Sequence, residues 1–166
     1  MLTTAAMTEI RPHFLFEPRH DQFRRRLREF ADREVNPRAD EWEREGRIPK
    51  SLFLRGGELK FFAHGGPESH GGTGFDCRMA IVMAEELAKA RTRGVAMGFG
   101  AHNEIAKPHL VRFGTAAQKD RYLRDMVEGR KIGALGITEP SVTYRPACTA
   151  PSPEKTRPNG STAPCR

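Results

Sequence analysis

The side chains able to do chemistry are scattered rather than clustered. Six histidines, at 13, 20, 64, 70, 102 and 109, include no H-x-x-x-H pair and join no cysteine pair, so the helical spacing that places two imidazoles on one metal is missing. His64 and His70 flank a glycine-rich loop, where contact with a ligand is one reading and an ordinary surface position the favoured one. Cysteines at 77, 148 and 165 show neither metal-type spacing nor a paired framework, which points to a reducing, cytoplasmic compartment. No G-x-S-x-G elbow is present, and this argues against a hydrolase.

Glycine-rich stretches invite a nucleotide-binding reading. "GGTGFD" has no hydrophobic strand before it, "GFGAHN" lacks the third glycine of a dinucleotide fingerprint, and no G-x-x-x-x-G-K-[ST] occurs. Turn and helix-packing glycines are the expected roles. The run "RRRLRE" could grip phosphates, but acids at 21, 29, 32, 34, 40 and 41 dilute it, so a solvated helix face is expected rather than a nucleic-acid surface. Of the chain's net charge of +7, the last 26 residues hold Arg145, Lys155, Arg157 and Arg166 against Glu154. The remainder is too weakly basic to imply a nucleic-acid partner.

The elements that must position these groups are helical. Phe23, Leu27, Phe30 and Ala31 recur at i, i+4, i+7 and i+8, the stripe of an amphipathic helix. Pro37 ends or kinks it, and "RADEWERE" continues as a helix that turns Trp42 inward. Residues 51 to 61 predict a short helix weakened by Gly56 and Gly57. "AHGGPESHGGTGFD" is loop, after which Asp76 caps a helix with a stripe of Met79, Ala80, Met83, Leu87 and Ala90. "GVAMGFGAHNEIAKPHLVRFG" predicts a helix of small residues with Gly114 as its C-cap. Thr115 and Gln118 form a capping box for a last helix that buries Tyr122, Leu123 and Met126 and stops at Gly129. "KIGALGIT" then predicts a first strand, with no second strand in the sequence to pair it. No segment approaches the roughly 18 apolar residues of a membrane span, so no membrane partner is expected.

Taken together, "REFADREVNPRADEWEREGRIP", "GGPESHGGTGFD", "IVMAEELAKA" and "AHNEIAKPHLVRFGTAAQKDRYLRDMVEGRKIGALGITEP" resemble the N-terminal part of an acyl-CoA dehydrogenase. That resemblance implies an all-α fold class, an N-terminal helical bundle with one terminal β-strand. The expected domains are an extension over residues 1–19, the helical domain over 20–130, the start of a β-domain over 131–140 and a disordered tail over 141–166. It implies FAD as cofactor, an acyl-CoA substrate and homo-oligomeric assembly of intact family members. It also implies that Leu135, Ile137 and Thr138 border the flavin, with the Thr138 hydroxyl and nearby amides bonding the ring system. Without that context Thr138 reads as a β-branched strand residue.

After "TEP" the family continues with glycine, alanine, glycine, serine and aspartate, whereas here "SVTYRPACTAPSPEK" follows. The expectation is a frameshifted or truncated family member. The catalytic base of the family is a glutamate from its C-terminal domain, a context that no residue matches here. Glu139 belongs to the turn, while Glu85 and Glu86 are expected on a solvated helix face or near the acyl pocket. The reading that follows is an N-terminal fragment of a FAD-dependent acyl-CoA dehydrogenase, inactive alone. Its alternative is a non-catalytic helical module that binds a partner subunit.

Overall fold

The computed structural model describes residues 13 to 137, so Thr138, Glu139 and the tail expected over 141–166 lie outside the described residues. The described residues up to Leu135 belong to one compact unit, and Gly136 and Ile137 to a second.

Among the described residues of the first unit there are seven α-helices: α1 (Pro18–Phe30), α2 (Ala39–Glu45), α3 (Lys50–Glu58), α4 (Cys77–Leu87), α5 (Arg93–Gly100), α6 (Lys107–Phe113) and α7 (Ala116–Val127). Pro37 does not simply break the first helix. A π-helical turn over Ala31–Val35 and a 3-10 turn over Asn36–Arg38 carry the chain from α1 into α2, because proline lacks the N–H that the regular ladder needs. Gly46 ends α2 with a φ of +65°, a left-handed conformation that glycine adopts without steric cost.

Glu17 and His20 close the start of α1 reciprocally, and Asp76 caps α4 by accepting the Arg78 N–H at 3.0 Å. His20 links the two starts. Its Nδ1 accepts the Glu17 N–H at 2.9 Å, which leaves Nε2 to donate to Asp76 Oδ2 at 2.8 Å. Burial raises the Asp76 carboxyl, but the bonds from His20 and Arg78 outweigh it and hold the group at about 2.

The core is phenylalanine-rich. Phe23, Phe30, Phe53, Phe61, Phe62 and Phe99 are buried together. Phe30 meets Phe61 edge to face at 5.3 Å and Phe62 meets Phe99 likewise at 4.8 Å, an arrangement favoured by the ring quadrupole, while Phe30 with Phe99 and Phe53 with Phe62 are stacked. The stripe Phe23, Leu27, Phe30 and Ala31 is buried throughout, as is Trp42.

Three expectations are corrected. On α4 the buried face is Val82, Met83, Glu86 and Leu87, with Ala80 only half-buried. On α7 it is Leu123, Met126 and Val127, while Tyr122 is exposed under the side chains of Arg121 and Lys131. Residues 131 to 137 form no strand among the described residues, since a ladder needs a second strand and these residues have none to pair with.

Candidate functional site

At the end of α7 the chain turns at Gly129, φ +71°, toward the segment that carries Leu135 and Ile137. Backbone contact fixes this turn. A Cβ on Gly57 would overlap the Glu128 carbonyl, and one on Gly129 would overlap the Phe53 carbonyl, so α3 and the end of α7 approach as closely as bare backbone allows. Neither helix could carry a side chain there.

The next fixed point is His102, fully buried on a π-helical turn (Ala101–Ala106) between α5 and α6. Its ring lies edge to face against Phe53 at 5.8 Å and Phe62 at 4.7 Å. Nδ1 accepts the Gly133 N–H at 3.0 Å, and Nε2 meets the Met126 carbonyl at 3.0 Å. A carbonyl only accepts, so the neutral ring carries its proton on Nε2. Burial pushes the His102 pKa down, the Met126 bond works against this, and the Lys107 charge lowers it further.

Lys107 is the second buried group that sequence patterning missed. Its Nζ donates to the carbonyls of Phe62 at 2.5 Å and His64 at 2.6 Å and to Asn103 Oδ1. Burial lowers its pKa to about 8 against the attraction of Glu104. His64, expected at the surface, is buried: Nε2 donates to Glu104 Oε1 at 2.8 Å and the ring stands edge-on to Phe23. His70 meets Asp120 at 3.0 Å on the exterior. Among the described residues, no group of three His, Cys, Asp or Glu side chains is placed to hold a metal.

The acids on α4 separate. Glu85 is half-exposed, but Glu86 is 1% exposed and accepts from Arg24, Arg28 and Lys89. Its solvated-face reading is therefore corrected, as is that of Arg24. The pairing is legible only once α1 lies against α4, because these residues are about 60 positions apart.

A cleft of about 780 Å³ opens beside the exit segment, lined by Leu54, Leu110, Tyr122, Met126 and Ile132 together with Lys50, Arg130 and Lys131. Leu135 and Ile137, the two described residues of the expected flavin contact, are each exposed. No described helix is long and apolar enough to cross a membrane.

A helical bundle of this kind has close counterparts. The family profile "Acyl-CoA dehydrogenase, N-terminal domain" matches residues 17–130. The chain is 34% identical over 134 residues to the long-chain specific acyl-CoA dehydrogenase, mitochondrial, of Rattus norvegicus, covering 81% of this chain and 31% of that protein. It is 34% identical over 129 residues to the isovaleryl-CoA dehydrogenase, mitochondrial, of Arabidopsis thaliana, covering 76% and 31%. Among solved structures, the acyl-CoA dehydrogenase from Geobacillus kaustophilus superposes with a TM-score of 0.72 at 32% identity, over 80% of this chain and 34% of that one. The acyl-CoA dehydrogenase complexed with FAD from Bacillus anthracis gives 0.67 at 30% identity, over 77% and 22%.

This chain belongs to the acyl-CoA dehydrogenase family and contains its N-terminal helical domain. It spans about a third of the length of the curated relatives it matches.

Proposed function

We propose that this chain supplies the helical part of an acyl-CoA and flavin site, with Leu135, Ile137 and Thr138 against FAD, and does not complete the dehydrogenation unaided. One observation carries the reading: a bundle with the family's sequence is followed by residues outside any helix, whose Leu135 and Ile137 side chains are exposed. FAD, when bound, supplies the acceptor for oxidation of an acyl-CoA thioester. The chain's own residues do the positioning. Leu135 and Ile137 offer apolar surface, and the Thr138 hydroxyl offers one polar contact that orients the ring system. No residue matches the context of the family's glutamate base, so proton removal from substrate is assigned outside these 166 residues.

A fluorescence titration of FAD with the purified chain tests this. Quenching that L135D and I137D weaken at least ~10-fold is expected, with no acyl-CoA-dependent bleaching of flavin absorbance. Quenching indifferent to both substitutions, or stoichiometric flavin bleached by acyl-CoA, would overturn the proposal.

A second reading, a non-catalytic module that docks a partner subunit, is favoured by Met97 and Phe113, 70% and 72% exposed. A purified chain that binds no FAD but elutes with a family subunit would support it.

A further inference from the structure

We infer that His102 is a positioning residue for the exit segment: as the neutral Nε2–H tautomer it clamps Gly133 to the end of α7, and so sets where Leu135 stands. The importance of that placement for flavin rests on the proposed function, whereas the clamp itself does not.

The argument is geometric. Gly133 presents its N–H to Nδ1 at 3.0 Å, and the opposite ring nitrogen is tied to the Met126 carbonyl at 3.0 Å. One imidazole therefore bridges the helix that ends at Val127 and the segment that leaves it. The ring packs edge to face against both Phe53 and Phe62, and exchanging its two partners would set the Gly133 N–H against a ring N–H. Gly133 itself lies so close to Ala106 that a Cβ there would meet the Ala106 Cβ at 3.0 Å. The segment thus has one seat, two residues before Leu135.

Protonation would reverse the clamp. A proton on Nδ1 would face the Gly133 N–H, donor against donor, and release the segment. Around the ring, α3 and the residues following it contribute the Phe53 and Phe62 rings, α7 contributes the Met126 carbonyl, and the charge acting on it is that of Lys107. Lys107 and burial both favour the neutral form. The clamp is therefore closed at neutral pH and opens only in acid.

Long-range proton–nitrogen NMR correlations on the full ¹⁵N-labelled chain read the tautomer directly, without any variant. The expected result is a protonated Nε2 and a bare Nδ1, with the Gly133 amide resonance moving in step with His102 as the pH is lowered. Two substitutions then separate the bonds. In H102N the Oδ1 stands near the Nδ1 position and still accepts from Gly133, whereas H102Q can reach Met126 but leaves Gly133 without an acceptor. Gly133 should exchange its amide hydrogen about 10-fold faster in H102Q than in H102N, the worth of one hydrogen bond. An Nδ1–H tautomer, a Gly133 resonance indifferent to the His102 titration, or equal exchange in the two variants would overturn the clamp. If the clamp is present but FAD binds the wild-type chain no better than H102Q, the flavin reading fails and the clamp stands.

Discussion

Arg24 on α1 donates to Glu86 on α4 at 3.0 Å, and both side chains are buried against one another. A buried carboxylate is costly unless it is well bonded, and Glu86 also accepts from Arg28 at 3.0 Å and Lys89 at 2.8 Å. Burial raises its pKa, but these three bonds prevail and lower it from 4.5 to about 2.

E86A should therefore destabilise the chain by about 1 to 3 kcal/mol, since Arg24 keeps Glu85 but loses its buried acceptor, and Arg28 and Lys89 lose theirs. The pH dependence has a definite sign. The folded pKa lies below the unfolded one, so this contribution is complete above pH 4.5 and disappears as pH falls toward 2, on the order of 3 kcal/mol in all. Urea denaturation of wild type and E86Q at several pH values checks it. The stability gap should close in acid, and a gap that stays constant would show that Glu86 is not ionised in the fold.

Gly57 should tolerate no side chain. In an exposed helix, glycine to alanine gains about 1 kcal/mol, but a Cβ at this position overlaps the Glu128 carbonyl. Backbone against backbone has no flexible end to yield, so α3 must move away from the turn at Gly129. G57A is expected to lose roughly 3 kcal/mol or to fail to accumulate as folded protein. A raised or unchanged denaturation midpoint would contradict the close crossing.

The cap of α7 is worth a smaller, separable amount. Thr115 Oγ1 accepts the Gln118 N–H at 3.3 Å, and Gln118 Oε1 accepts the Thr115 N–H at 2.8 Å. T115A should cost about 1 kcal/mol and T115S much less, because serine keeps the acceptor. Thermal unfolding followed by circular dichroism distinguishes these outcomes.

Much of this bundle is legible in its sequence, and the reason is local. The capping box at Thr115 and the stripe from Phe23 to Ala31 each depend on residues within two helical turns of one another. The interior polar groups are not legible, because their partners are remote: His102 with Gly133 is 31 positions apart, Lys107 with Phe62 is 45, and Arg24 with Glu86 is 62. A lysine or histidine in a helical run reads as surface by composition alone. Only the tertiary arrangement supplies the carbonyls that make its burial possible. Tyr122 fails in the opposite sense, since an aromatic at helical spacing reads as core, yet it lies outside under Arg121 and Lys131. The resemblance to the family locates the exit segment without showing what holds it.

Lys107 gives the sharpest test of that buried polar interior. Its ammonium bonds three oxygens, from Phe62, His64 and Asn103, and so ties the loop after α3 to α6. K107M keeps the length of the side chain but leaves those acceptors unpaired, and should cost about 1 to 3 kcal/mol at pH 7. The pH dependence runs opposite to that of most surface lysines. Burial lowers the folded pKa from 10.5 to about 8, so the unfolded chain binds the proton more tightly, and wild-type stability gains from this group as pH rises from 8 to 10.5. Methionine has no such titration. The stability difference between wild type and K107M should therefore widen over that interval, while other alkaline titrations cancel between the two proteins. A difference that stays flat or narrows would mean that Lys107 keeps an ordinary pKa, and hence that it reaches water rather than the carbonyls of the loop.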